Sequence, residues 1–179
     1  MDLMHVAGLI SPAERELLRD VSAKVEKEFE EPVIVNLGVL LGASCYCCRE
    51  GSKKAKLFGV DINGWERLED TGEMREILNM TLIQGDTRKV YDQFTTPTHF
   101  MFVDACHNYN YVRPDIINWV FPNVVRGGGI AAFHDAFYEK DQAFYTSCLG
   151  VETAVNELMT DGWEEQEKVD TIRWFRRVK

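Results

Sequence analysis

His99-Phe-Met-Phe-Val-Asp104-Ala-Cys-His107 and Gly127-Gly-Gly-Ile-Ala-Ala-Phe-His134-Asp135 decide how this chain is read. Each is an apolar run that stops at an acid with a histidine close by. Runs of this length, bounded by polar residues, have the pattern of buried parallel strands. Residues just past the carboxyl ends of such strands line the crevice where open α/β sheets bind ligands. Asp104, His107, His134 and Asp135 are therefore expected to converge on one cleft.

Upstream, residues 33–37, 56–61 and 81–86 are further short β-rich runs, and the two runs above extend over 98–104 and 128–133. Helices are expected between them: from about Ala43 to Arg49 with a stop at Gly51, over 71–79, a short one to Phe94, and over 111–120. In the last of these Pro114 is placed in the first turn, where its missing N–H costs nothing. Ahead of the first strand, Ser11-Pro12-Ala13-Glu14 joins an N-cap, a proline at the first helical position and a capping box. Leu17, Leu18, Val21, Val25 and Phe29 follow at helical spacing, and that helix ends before Pro32. After Asp135 come a polar and aromatic loop over 136–149, longer than most connections in compact domains, and a helix over 150–159. An alternating pair, 163–169 and 171–178, turns at Asp170. Strands alternating with helices imply βαβ units and a parallel sheet, here with an antiparallel edge strand. One domain is expected over 1–179: an N-terminal helix in 1–31, a core over 32–136, and a loop, helix and hairpin over 137–179.

Composition narrows the function. The chain has 179 residues, 45% hydrophobic and 27% charged, with a formal net charge of −9. Such acidity leaves no basic footprint for nucleic acid or an anionic membrane. The basic group Arg173, Arg176, Arg177 and Lys179 is read as a solvated terminal strand. The five cysteines lack the paired spacing of a zinc site, so they are read as free, reduced thiols used as small hydrophobes. The first residues lack a basic n-region and a long apolar core, and no run reaches membrane-spanning length. A cytoplasmic protein is expected.

Gly38 and Gly42 flank a strand-to-helix turn, where glycine lets the backbone bend and a ligand approach. The helix starting near Ala43 or Ser44 offers free N–H groups to an anion. Asp61 ends the next strand and is placed to accept hydrogen bonds from two ribose hydroxyls. Gly85-Asp86 ends the third, where it can meet an adenine amino group. The plainer reading of both acids is helix N-capping.

In order, Asn36-Leu-Gly38-Val-Leu-Leu-Gly42-Ala-Ser44, Phe58-Gly-Val-Asp61-Ile, Ile83-Gln-Gly-Asp86, Asp104-Ala-Cys-His107-Asn-Tyr-Asn-Tyr-Val-Arg-Pro-Asp115 and Gly127 to Asp135 resemble a class I S-adenosylmethionine-dependent methyltransferase of the methyltransferase-24 type. That type is similar to macrocin- and mycinamicin-type sugar O-methyltransferases and to cephalosporin hydroxylase-like proteins. The resemblance spans roughly residues 32–136 and is most specific in the segments after the fourth and fifth strands. It implies a Rossmann-like αβα sandwich with a seven-stranded, mostly parallel sheet in the order 3-2-1-4-5-7-6, strand 7 antiparallel. It also implies S-adenosylmethionine over Gly38, Gly42 and Ser44, with Asp61 on the ribose, Asp86 on the adenine side and Asp104 at the cofactor's edge. Asn36 stands where the family has an acid that positions the methionine end. The resemblance makes His107 the general base, a role its pKa suits near neutrality.

Methyl transfer to a hydroxyl requires loss of the acceptor proton and alignment with the methyl group. Asp104 and Asp135 are hard oxygen ligands on adjacent strand ends, suited to Mg²⁺ or Mn²⁺. His134 completes such a set more comfortably for Mn²⁺, Fe²⁺ or Zn²⁺. Tyr109, Tyr111, Phe137, Tyr138, Phe144 and Tyr145 are read as a wall or lid over the acceptor. The expected function is O-methylation of a small, sugar-like hydroxyl compound, with Asp104 and His107 catalytic and a divalent cation at Asp104, His134 and Asp135. The alternative is a nucleoside-binding module or subunit with a degenerate loop and no transferase activity. An NAD-type enzyme is disfavoured because Gly-x-Gly-x-x-Gly is absent. With no larger cap region, the acceptor pocket must come from the N-terminal helix, the 136–149 loop or a second subunit of a homo-oligomer.

Overall fold

The structure, a computed structural model, describes residues 8–67, 71–138 and 145–179. Its strands are β1 (Val33–Leu37), β2 (Lys56–Asp61), β3 (Met80–Gln84), β4 (Phe100–Val103), β5 (Ile130–Phe133), β6 (Trp163–Glu165) and β7 (Arg173–Arg177). They form one sheet in the order β3-β2-β1-β4-β5-β7-β6. The first five pair in parallel, and β7 runs antiparallel to β5 and β6. The α/β architecture read from the sequence and the strand order that the resemblance implies are those of the molecule. The helices are α1 (Pro12–Glu28), α2 (Ala43–Gly51), α3 (Thr71–Leu78), α4 (Thr87–Val90), α5 (Tyr109–Asp115), α6 (Phe121–Asn123) and α7 (Tyr145–Leu158).

Side chains alternate across a strand, so each central strand feeds two cores. Ile34, Phe100, Phe102 and Ile130 pack with Leu18, Val21, Cys45 and Leu78 from α1, α2 and α3. Val35, Leu37, Met101 and Phe133 pack with Val112, Trp119 and Val155 on the opposite face. Burial on both faces is why β4 and β5 read as unbroken apolar runs and why β1 is apolar but for Asn36. The α1 start follows its sequence cues: the Ser11 side chain accepts from the Glu14 N–H, and the Glu14 carboxylate accepts from the Ser11 N–H at 2.8 Å.

Three expectations change. The helix holding Pro114 starts at Tyr109, two residues early, so the proline is interior. It has no N–H to offer the preceding turn, and the chain continues as a wider π-turn over Ile116–Val120. The last helix begins at Tyr145 rather than Gly150, so the connection after Asp135 is shorter than 136–149. Gly150 is a packing glycine: a Cβ there would lie 2.4 Å from both the His107 carbonyl oxygen and the Tyr109 nitrogen. Its absence lets α7 lie against the loop that carries His107. Finally, the basic C-terminal group is bonded rather than simply solvated. Arg173 grips Glu165 at 2.7 and 3.0 Å, Arg176 meets Glu28 at 3.1 Å, and Arg177 donates to the Phe121 and Val124 carbonyls.

None of the five cysteines is in a disulfide. Cys45, Cys47 and Cys48 are buried in α2, and burial pushes the Cys45 thiol up to about 12. Among the described residues no helix is long and apolar enough to cross a membrane.

Candidate active site

A cavity of about 710 Å³ opens beyond the carboxyl ends of β1, β2, β4 and β5. Gly38, Ser44, Asp61, Asp86, Asp104, His107, His134 and Asp135 all line it, together with Gly8, Leu9 and Ile10 ahead of α1. Two expected cofactor residues, Asn36 and Gly42, are not on the lining. Asn36 is fully buried, and its amide donates to Ser44 Oγ and approaches Cys45 Sγ, each at 2.9 Å. Gly42 is the N-cap of α2, and the Tyr46 N–H donates to its carbonyl at 2.8 Å. Both residues therefore shape the cavity from behind.

The glycine turn presses directly on the end of β4. Gly38 has φ +88°, and a Cβ on it would sit 2.2 Å from the Asp104 carbonyl oxygen. Asp61 holds the turn from the other side. Its Oδ2 accepts the Val39 and Leu40 N–H groups at 2.8 and 2.9 Å, and its Oδ1 accepts the Asn63 N–H and side-chain amide at 2.8 and 3.2 Å. Four donors meet the full accepting capacity of a carboxylate. Asp86 caps α4 by accepting from the Arg88 N–H, and it takes the Arg88 guanidinium in two bonds of 3.0 and 2.6 Å. That pairing holds its carboxyl down at about 2. Arg88 in turn lies 3.6 Å over the Tyr111 ring. Asp86 is thus the cap that the plainer sequence reading allowed, and it still faces the cavity.

The other end of the cavity brings Asp104, His107, His134 and Asp135 together. His107 Nε2 lies 3.2 Å from Asp135 Oδ2 and 3.6 Å from Asp104 Oδ1, while its Nδ1 faces Cys148 Sγ at 3.9 Å. The Asp104 hydrogen bond outweighs burial and raises the His107 pKa above the usual 6.5. His134 Nδ1 lies 3.0 Å from Asp104 Oδ1 and 3.5 Å from Asp135 Oδ2, and its Nε2 lies 3.4 Å from Glu14 Oε2. Burial alone would lower its pKa, but the three carboxylates prevail and push it to about 12. Asp135 is set by its backbone: φ is +54°, a conformation aspartate tolerates better than most residues. The Tyr138 hydroxyl donates to it at 2.7 Å, and with His134 it holds the Asp135 carboxyl well below the usual range despite burial. For metal binding, Asp104, His107 and His134 offer donor atoms within 4.8 Å of one another, and so do His107, Asp135 and Cys148.

Sequence reasoning missed Glu14 and Cys148. Glu14 was legible only as a capping-box residue, yet its carboxylate also takes the Thr171 N–H and hydroxyl at 3.1 and 2.6 Å and approaches His134. Cys148 arrives through the close approach of α7 at Gly150. Of the expected aromatic wall, Tyr111 and Tyr138 line the cavity. Tyr109 donates to Glu157, and Phe137 lies under Lys168, 4.4 Å from its ammonium. Phe144 and the side chain of Tyr145 lie outside the described residues.

Known proteins place this geometry. The profile of the methyltransferase-24 family, a methyltransferase domain, matches residues 35–136, more than half of the chain. A search of curated proteins finds no match. Among solved structures, a protein of Corynebacterium glutamicum superposes with a TM-score of 0.76 at 11% identity, over 96% of this chain and 83% of that one. A Podospora anserina methyltransferase bound to S-adenosylhomocysteine gives 0.72 at 13% identity, over 96% and 80%. The O-methyltransferase TomG of Streptomyces achromogenes, in complex with S-adenosylmethionine, gives 0.68 at 14%, over 96% and 82%. The strand order, the cavity at the strand ends and the matched profile agree, and the chain belongs to the methyltransferase-24 family of class I methyltransferases.

Proposed function

We propose that the chain uses S-adenosylmethionine to methylate a hydroxyl of a small, sugar-like molecule, with His107 as general base. The observation that carries this reading is the placement of His107. Its ring is held by two carboxylates at the wall of the same cavity into which the glycine turn and Asp61 open. The cavity volume lies within the roughly 300–1,000 Å³ typical of small-molecule sites.

When bound, S-adenosylmethionine supplies an electrophilic methyl group on a sulfonium. The ribose hydroxyls belong at Asp61, whose longest bond, 3.2 Å to the Asn63 amide, is the one to yield. The adenine belongs between Ile62, which is exposed beside the cavity, and the Asp86–Arg88 pair. With Nε2–H donated to Asp135 and Asp104, His107 keeps its lone pair at Nδ1, the atom that takes the acceptor proton. The two carboxylates then stabilise the imidazolium. Tyr138, the Gly8–Ile10 segment and Cys148 enclose the acceptor and exclude water. Asp104, His134 and Asp135 form a mixed oxygen and nitrogen donor set that fits a divalent cation, which would lower the acceptor pKa and orient it.

An inactive nucleoside-binding module is disfavoured by the position of His107 between two carboxylates at the cavity wall. The test is a thermal-shift titration with S-adenosylmethionine and S-adenosylhomocysteine. Both are expected to raise the melting temperature at micromolar concentrations, and no shift at millimolar ligand contradicts the reading.

A further inference from the structure

We infer that Cys148 is a nucleophilic thiol served by His107, and that it takes up small disulfides entering the cavity, forming a mixed disulfide at the acceptor end. The thiol chemistry stands without the methyltransferase reading; only the meaning of the end it fills rests on that reading.

Cys148 is one member of an assembled set. Its Sγ lies 3.9 Å from His107 Nδ1, and His107 Nε2 lies 3.2 Å from Asp135 Oδ2. Nucleophile, base and orienting carboxylate in that order are the signature of an activated side chain, recognised by geometry whatever the fold, and such contacts are often loose before a ligand binds. An ionised carboxylate only accepts hydrogen bonds, so the hydrogen of a neutral His107 belongs on Nε2 and the lone pair on Nδ1 faces the thiol. Tyr138 also touches the thiol, and its hydroxyl donates to the other oxygen of Asp135 at 2.7 Å. Two groups in contact with the thiol are thus fixed by one carboxylate. Gly150, two residues further along α7, seats that helix against the His107 loop.

The remaining cysteines supply the contrast. Cys148 is 4% exposed and lines the cavity, so a reagent reaches it from there. Cys106 lines the same cavity and is more exposed, but its neighbour is the Asn108 amide at 3.7 Å, a donor that takes no proton. Cys45, Cys47 and Cys48 are buried in α2 and are not on the lining. Exposure alone puts Cys106 first in reactivity, whereas an adjacent base puts Cys148 first.

The exchange needs no other oxidant or reductant than the disulfide. The thiol proton passes to His107 Nδ1, Sγ bonds to one sulfur of the disulfide, and the original S–S bond breaks. The departing thiolate then takes the proton from the imidazolium. Charge selects the reagent. Asp61, Asp86, Asp104 and Asp135 line the cavity, and among the described residues the only lysine or arginine on the lining is Arg88, which is paired with Asp86. A cationic disulfide is therefore preferred to an anionic one.

The test treats the full chain at neutral pH with limiting iodoacetamide and locates the adducts by peptide mass spectrometry. Cys148 is expected to be alkylated ahead of Cys106, with the α2 cysteines untouched. Cystamine is expected to leave half of its molecule on Cys148, faster than oxidised glutathione does, and dithiothreitol should remove it. His107→Asn should slow Cys148 alkylation by about tenfold or more, since a free thiol is only a few per cent thiolate at neutral pH. Untouched α2 cysteines show that this variant is folded; if they react, the order in the wild-type chain decides alone. Alkylation of Cys106 first, or a Cys148 rate indifferent to His107→Asn in the folded variant, overturns the inference. A faster reaction with oxidised glutathione overturns the charge preference. The cystamine adduct should still bind S-adenosylhomocysteine, and loss of that binding contradicts its placement at the acceptor end. If the untreated chain fails to bind S-adenosylhomocysteine while Cys148 reacts first, only the methyltransferase reading is lost.

Discussion

The two ends of the cavity are built on opposite electrostatic terms. At the cofactor end the two carboxylates that face the cavity are already engaged: Asp61 by four N–H groups, Asp86 by a guanidinium and a helix N-terminus. At the acceptor end Glu14, Asp104 and Asp135 crowd two imidazoles, and a buried ring nitrogen lacks an aligned donor or acceptor. The difference is instructive. A shape that must be ready before a ligand arrives can be braced by the protein's own hydrogen bonds. A site that must attract a proton or cation cannot be braced in this way without losing its pull.

Substitutions on each side should separate these roles. The largest effect is expected for His107→Asn, which should reduce kcat by about 10²–10⁴-fold while leaving S-adenosylhomocysteine affinity nearly unchanged, read by calorimetry beside turnover. Equal losses of affinity and turnover would mean that the two ends are not separable.

Asp115 comes next, because it is the exception at the cofactor end. It lies below Thr87 and Asp86 at 1% exposure, neither oxygen has an aligned partner among the described residues, and burial raises its pKa to about 7. An unfolded aspartate ionises near 3.9. Between those values the unfolded chain releases a proton that the folded chain keeps, so stability falls as pH rises and then levels off above about 7. Asp115→Asn should therefore be near neutral at pH 4 and stabilising by about 2–4 kcal/mol at pH 8. A gain independent of pH contradicts this explanation.

Gly150→Ala forces a methyl group against the backbone of the His107 loop. It should cost about 1–3 kcal/mol, or several degrees in Tm, and reduce kcat more than cofactor affinity. The smallest change is expected for Arg88→Gln, since a partly exposed ion pair contributes little to stability. A Tm difference beyond experimental scatter would mean that the pair also braces the cofactor end.

These expectations follow the boundary between what sequence could and could not reveal. Phe100 to Val103 and Ile130 to Phe133 were legible because a strand buried on both faces has no polar interruption until it ends. The end itself then marks Asp104, His107, His134 and Asp135. Gly150 misled because glycine at a helix start and glycine at a close crossing look alike until the partner backbone is known. Pro114 misled for a related reason, since a π-turn downstream of it has no local signature. Glu14 reaches His134 across 120 positions, and its capping-box pattern is complete without that contact. For Asp61, the pattern located the carboxylate but gave no sign that neighbouring N–H groups would occupy all four of its acceptor positions.

The most direct test is a crystal structure of the chain with S-adenosylhomocysteine. The ribose hydroxyls should displace the Asn63 side-chain amide at Asp61, the adenine should lie beside Ile62 and Asp86, and the sulfur should face His107 across Gly38. A ligand that leaves all four Asp61 bonds intact and binds elsewhere, or one whose sulfur points away from Asp104 and His107, would contradict the claim that these two ends make one active site.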